Sequence, residues 1–165
     1  SALTLQTPRM DAVNREGERY NVLWVFFRET LSAEDVIQLH AMLLKIISRG
    51  KPVLVHCQDA SEGPLELPSL KMLHEAARVY QDASDTFLGV LVHVNKADVV
   101  VRTGEALFRS ICHPRHPFEI VETPDEVHSF YQFLESSASL HVKPLDERLL
   151  NERRGARAAT AATAA

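Results

Sequence analysis

His56 and Cys57 close the apolar run Pro52-Val53-Leu54-Val55, and no other pair in the chain has so plain a capacity for chemistry. A cysteine delivered at the end of a buried strand can attack a phosphate ester as its thiolate. That chemistry also needs an arginine six positions on, whose planar guanidinium binds phosphate at two points and holds the thiol ionised. Here Cys57 is followed by Gln58, Asp59, Ala60, Ser61 and Glu62, and Gly63 stands where the arginine belongs. Asp59 and Glu62 would repel a phosphate dianion from the same loop. His56 is no ready base for Cys57 either, because adjacent strand residues point to opposite faces. The pattern is a nucleophile without its anion-binding half, and both side chains are expected to be structural.

The other chemical candidates are weaker. Cys112, His113 and His116 have zinc-ligand types, but only three ligands are local and no second cluster of matching spacing exists, so a polar loop held by Pro114 and Pro117 is expected. His40, His74 and His93 lie among apolar stripes and read as packed or surface histidines. Gly63 and Gly89 are isolated, which leaves no glycine-rich phosphate cradle, and no serine sits in a Gly-x-Ser-x-Gly elbow. No catalytic residue, metal or cofactor is expected. Regulation could act between Asp59 and Ser69. A phosphate on Ser61 would be repelled by Asp59 and Glu62, whereas one on Ser69 would meet a helix N-terminus that tolerates negative charge. As an ordinary helix cap, Ser69 needs no modification.

The elements that must position these residues alternate. Leu3, Leu5 and Met10–Val13 form a first extended segment, turned at Arg15-Glu16-Gly17 into the β-forming run Tyr20–Phe27. Ser32 with Asp35 makes a capping box for a helix carrying Val36, Leu39, Leu43, Ile46 and Ile47, which Gly50 ends. Pro52–His56 is a strand buried on both faces. Pro68 opens a helix with Leu70, Leu73, Ala76, Ala77 and Tyr80, and Phe87–Val94 is the next strand. Asp98–Ile111 is helical in spite of its valine run and Gly104, and Phe118–Val121 is the last strand. Thr123, Pro124 and Glu126 then supply cap, first position and capping acid for a helix with Val127, Phe130, Tyr131 and Leu134. The expected fold is a single α/β domain over residues 1–135, a mixed sheet of about five strands with an N-terminal hairpin and about four helices. Residues 136–165 are a linker and a partly helical, low-complexity extension.

This order of elements resembles a STAS domain, the fold of bacterial anti-sigma-factor antagonists, which overlaps with the CRAL-TRIO-like lipid-binding folds. The resemblance covers residues 11–135. It rests on the hairpin ending in Val22-Leu23-Trp24-Val25, the strand Val53-Leu54-Val55 ending near Asp59, the helix from Ser69, and the closing Phe118–Val127 strand and capped helix. It implies a phosphorylatable serine in the turn after that strand. Here the turn is Asp59-Ala60-Ser61-Glu62-Gly63-Pro64, and the serine pair of the regulatory family is absent.

Composition sets the remaining bounds. A chain of 165 residues with formal net charge −4 can fill one core and is not a general nucleic-acid binder. No apolar run reaches the roughly 20 residues that cross a bilayer. Gln6, Pro8, Arg9 and Asp11 interrupt any signal-peptide core, and two cysteines make no disulfide framework. A reducing compartment is expected, the cytoplasm or an organelle interior reached after presequence removal. The reading that follows is a non-catalytic interaction or scaffold module, an accessory component of a larger assembly. Its protein partner is met by the extension, through Leu145, Leu149, Leu150, Arg153 and Arg154. The alternatives are a phosphorylation-controlled switch, a small-ligand or lipid-binding domain, and a degenerate cysteine phosphatase. The ligand reading requires a sizeable apolar cavity, and the core residues look just sufficient to fill both faces of the sheet.

Overall fold

The computed structural model of the chain describes residues 3–83 and 86–137. Among them are strands β1 (Thr4–Thr7), β2 (Met10–Arg15), β3 (Asn21–Phe27), β4 (Val53–Asp59), β5 (Phe87–His93) and β6 (Phe118–Val121). Helix α1 (Ala33–Ile47) joins β3 to β4, α2 (Leu70–Gln81) joins β4 to β5, α3 (Val99–Ile111) joins β5 to β6, and α4 (Pro124–Ser136) follows β6. The sheet runs β1-β2-β3-β4-β5-β6, antiparallel for the first two pairings and parallel for the rest. This is the α/β domain expected from the residues, and its element order is the one that the STAS resemblance implies. The expected first segment folds back on itself. The Thr7 hydroxyl accepts from the backbone N–H groups of Arg9 and Met10, and that turn makes two strands where the sequence suggested one.

Local chemistry explains the helix starts. Ser32 and Asp35 form the reciprocal capping box of α1, and Thr123 and Glu126 form that of α4, with proline in the first turn. Ser69 caps α2 through Met72 N–H, so Pro68 stands just outside the helix rather than opening it. Asp98 caps α3 through Val101 N–H.

Parallel crossovers are right-handed, and this strand order never reverses, so α1, α2 and α3 all fall on one face of the sheet. The main core lies there, with Leu23, Val25, Val53, Leu73, Tyr80 and Phe87 buried. On the other face α4 is the one helix among the described residues, and it packs through Phe130 and Leu134 against Leu54, Leu88, Leu91 and Val121.

Candidate functional site

The parallel register lines up two rows of side chains on the helical face. Leu23, Val55, Val90 and Phe118 form one row across β3–β6, and Val25, Cys57, Val92 and Ile120 form the next. Above these rows, α2 presents Ala76 and α3 presents Gly104. Small side chains therefore oppose valines and a cysteine where larger ones would close the gap. Space is left, and the result is an apolar cavity of about 250 Å³ between the sheet and α1, α2 and α3. The expectation that the apolar residues just fill both faces fails on this face for that reason.

The loop that follows β4 borders the cavity with Leu65, Glu66 and Pro68. It is fastened to the entry of α1, because the Thr30 hydroxyl donates to Glu66 O (2.7 Å) and accepts from Glu66 N–H (3.0 Å). Pro68 also lies against Gly104, where an added Cβ would come within 3.2 Å of its ring. Among the described residues, no lysine or arginine lines the cavity. Glu105 bonds Arg102 (2.9 Å), and His40 faces Asp82 at 3.7 Å.

Cys57 is half-buried and lines this space. A thiol in apolar surroundings has its ionisation suppressed, and burial pushes Cys57 up to about 12. A nucleophile needs the opposite shift. His56 points to the other face, as strand alternation requires. Its ring stacks on Trp24 with centroids 4.0 Å apart, and its Nδ1 lies 2.8 Å from the Tyr131 hydroxyl. Tyr131 is itself raised by burial, and Tyr20, whose hydroxyl donates to Glu135 (3.1 Å), is raised to about 12 by burial and by that carboxylate.

The remaining sequence candidates are placed as follows. Asp59 accepts from the backbone N–H and hydroxyl of Ser61 (2.9 and 2.6 Å) and from Asn95 N–H (3.0 Å), so it ties the end of β4 to the loop after β5. The Ser61 hydroxyl oxygen also lies 3.1 Å from Gly63 O. Cys112 and His116 are buried, and His116 meets Phe87 edge-on. Among the described residues, no group of three or more histidine, cysteine or acidic side chains is placed to hold a metal ion. His93 Nδ1 lies 3.0 Å from Gln58 Oε1. Leu145, Leu149, Leu150, Arg153 and Arg154 lie outside the described residues. No helix among the described residues is long and apolar enough to cross a membrane.

The sequence reading named a sizeable apolar cavity as the requirement of a ligand-binding domain and expected the core to leave none, so the cavity is the feature it did not foresee. Its available signal was the pairing of small residues, Ala76 and Gly104 on helix faces against Val90, Val92 and Cys57 on interior strands. No family model matches the chain, and no curated protein sequence matches it. Among solved structures, it is similar to an uncharacterized protein of the DUF3478 family with a SpoIIAA-like fold from Shewanella loihica PV-4. The identity is 11% and the TM-score 0.48, over 78% of this chain and 98% of that one.

Proposed function

We propose that this is a non-catalytic binding domain that takes up a small, largely apolar molecule between its sheet and helices α1–α3. The observation that carries this is the 250 Å³ apolar cavity. Its lining is almost entirely apolar, so water held there would find few hydrogen-bond partners. An engineered apolar cavity of about 150 Å³ holds benzene, so this one is sized for about ten heavy atoms. Cys57, unable to ionise near neutral pH, serves as part of the wall.

The test is titration of the full chain with naphthalene, followed by NMR of the valine and leucine methyls and by thermal unfolding. Naphthalene should shift the Val55, Val90 and Val92 methyls and raise the melting point. Val92→Phe, which fills the centre of the floor with a strand-compatible side chain, should fold and bind none. Unchanged spectra of the wild-type chain at saturating naphthalene would end this reading.

A protein partner is the second reading, and one surface observation favours it. Leu67, Leu70 and Val99 are exposed where the bordering loop meets the starts of α2 and α3. Comparison of the full chain with a chain ending at Glu135, and with Leu70→Lys, separates a partner held by the extension from one held at this patch.

A further inference from the structure

One stretch of the sheet belongs to neither core. Strand alternation puts Val22, Trp24 and Phe26 of β3 on the side of α4, and the β2–β3 register sets Val13 beside Trp24 and Asp11 beside Phe26. An antiparallel face left to water carries polar residues at such alternate positions. Here Val13, Val22, Trp24 and Phe26 are apolar, and the rings of Trp24 and Phe26 are stacked with centroids 5.8 Å apart. Among the described residues, none of the four joins either hydrophobic core, because α4 meets Leu54, Leu88, Leu91 and Val121 of β4–β6 instead. Thr4, Gln6, Asp11 and Arg15 rim the patch, and the Arg15 guanidinium lies 5.9 Å from the Trp24 ring centre. A contiguous apolar patch with a polar rim marks an interaction site.

We propose that this face is covered by the chain's own extension, which lays Leu145, Leu149 and Leu150 over Val13, Trp24 and Phe26. Residues 138–165 lie outside the described residues, and three observations select them as the occupant. The first is where the chain leaves α4. The Tyr20 hydroxyl donates to Glu135 in the last turn of that helix (3.1 Å), and Tyr20 immediately precedes β3, so the extension starts at the edge of the patch. The second is length. Trp24 stands about 13 Å along the strand from Tyr20, and the eight residues from Ser137 to Leu145 reach up to about 27 Å. The third is composition. Leu140, Val142, Leu145, Leu149 and Leu150 supply apolar side chains, and five lysines and arginines outnumber three acidic residues there, in a chain of formal net charge −4. A segment tethered this close to its site has an effective concentration in the millimolar range, which a free partner must outcompete. The patch and the leucines therefore mask each other, and a protein that takes the leucines uncovers Trp24 and Phe26.

Trp24 is the chain's one tryptophan, so it reports on its own cover. NMR of the full chain at low concentration should show nuclear Overhauser effects from the Leu145, Leu149 or Leu150 methyls to the Trp24 indole. In the full chain, Leu145→Asp combined with Leu149→Asp should abolish them, shift Trp24 emission to the red and raise its quenching by acrylamide. Absence of the Overhauser effects from the wild-type chain would overturn the proposal. Equal quenching in the two chains would overturn it as well and leave the face to a separate partner. So would Overhauser effects that appear only as the protein concentration rises, which would make the occupant a second copy of the chain.

Discussion

The imidazole of His56 lies on the indole of Trp24, with centroids 4.0 Å apart and planes 24° from parallel. The two residues are direct partners in the β3–β4 register, so the stack is a cross-strand pair of the parallel ladder. Burial dominates the electrostatics of the ring and lowers His56 from 6.5 to about 4, with Gln58 opposing it and His93 adding to it. The histidine beside the cysteine is thus a neutral packing element, held by Trp24 and Tyr131.

That neutrality makes stability depend on pH. The unfolded chain protonates His56 below about 6.5, and the folded chain resists until about 4. Stability present above 6.5 should fall as pH drops through this window, by up to about 3 kcal/mol, and change no further from this residue below it. Urea midpoints measured from pH 7 to pH 4 should show this slope, and His56→Phe should flatten it.

Cys57 should be inert in the native chain. With its thiol pushed up to about 12, the thiolate at pH 7 is about one part in 10⁵. Alkylation by iodoacetamide, followed by mass spectrometry, should modify Cys57 only in denaturant. Cys57→Ser should leave any background hydrolysis of an aryl phosphate unchanged.

Leu54 has no exposed surface and packs in the α4-side core on an interior strand. Leu54→Ala should cost about 2–5 kcal/mol through lost burial and the void left behind. A urea-unfolding change below about 1 kcal/mol would place the residue at the periphery.

Gly89 takes φ +142° inside β5, and a Cβ there would stand 2.5 Å from the Pro117 carbonyl oxygen. Gly89→Ala should therefore destabilise by about 3 kcal/mol or more, through strain and separation of β5 from the segment entering β6. At Gly63 nothing lies within 4 Å of such an atom, so Gly63→Ala should stay within about 0.5 kcal/mol. The pair of urea curves separates a required glycine from a tolerated one.

The parts of this fold that are readable in the chain are those decided within a few residues. Ser32 with Asp35 and Thr123 with Glu126 announce their helices because the capping groups are three positions apart. The turn at Thr7–Met10 was harder to see, since Pro8 and Arg9 carry no hairpin signature and the hydroxyl of Thr7 does the turning. The cavity is less legible still. Its volume is a difference between side-chain sizes on strands and helices distant in sequence, and only the register brings Cys57 beside Val92 or sets the sheet beneath Ala76. Tyr80 looks from its spacing like any other member of the α2 stripe, and only its surroundings reveal that its buried hydroxyl has no partner among the described residues.

The sequential strand order also has a kinetic meaning. Each strand pairs with the one made just before it, so none must wait for a later segment to be slotted in beside it. Loop closure then involves only one hairpin turn or one crossover at a time, which keeps the entropic barrier low for a parallel sheet. During synthesis the sheet can grow from β1 toward β6 in the direction the ribosome delivers it. The α4 face is completed last, and until then the apolar side chains of Leu54 and Leu91 remain open to solvent. Apolar surface left open in that interval is where non-native association would begin.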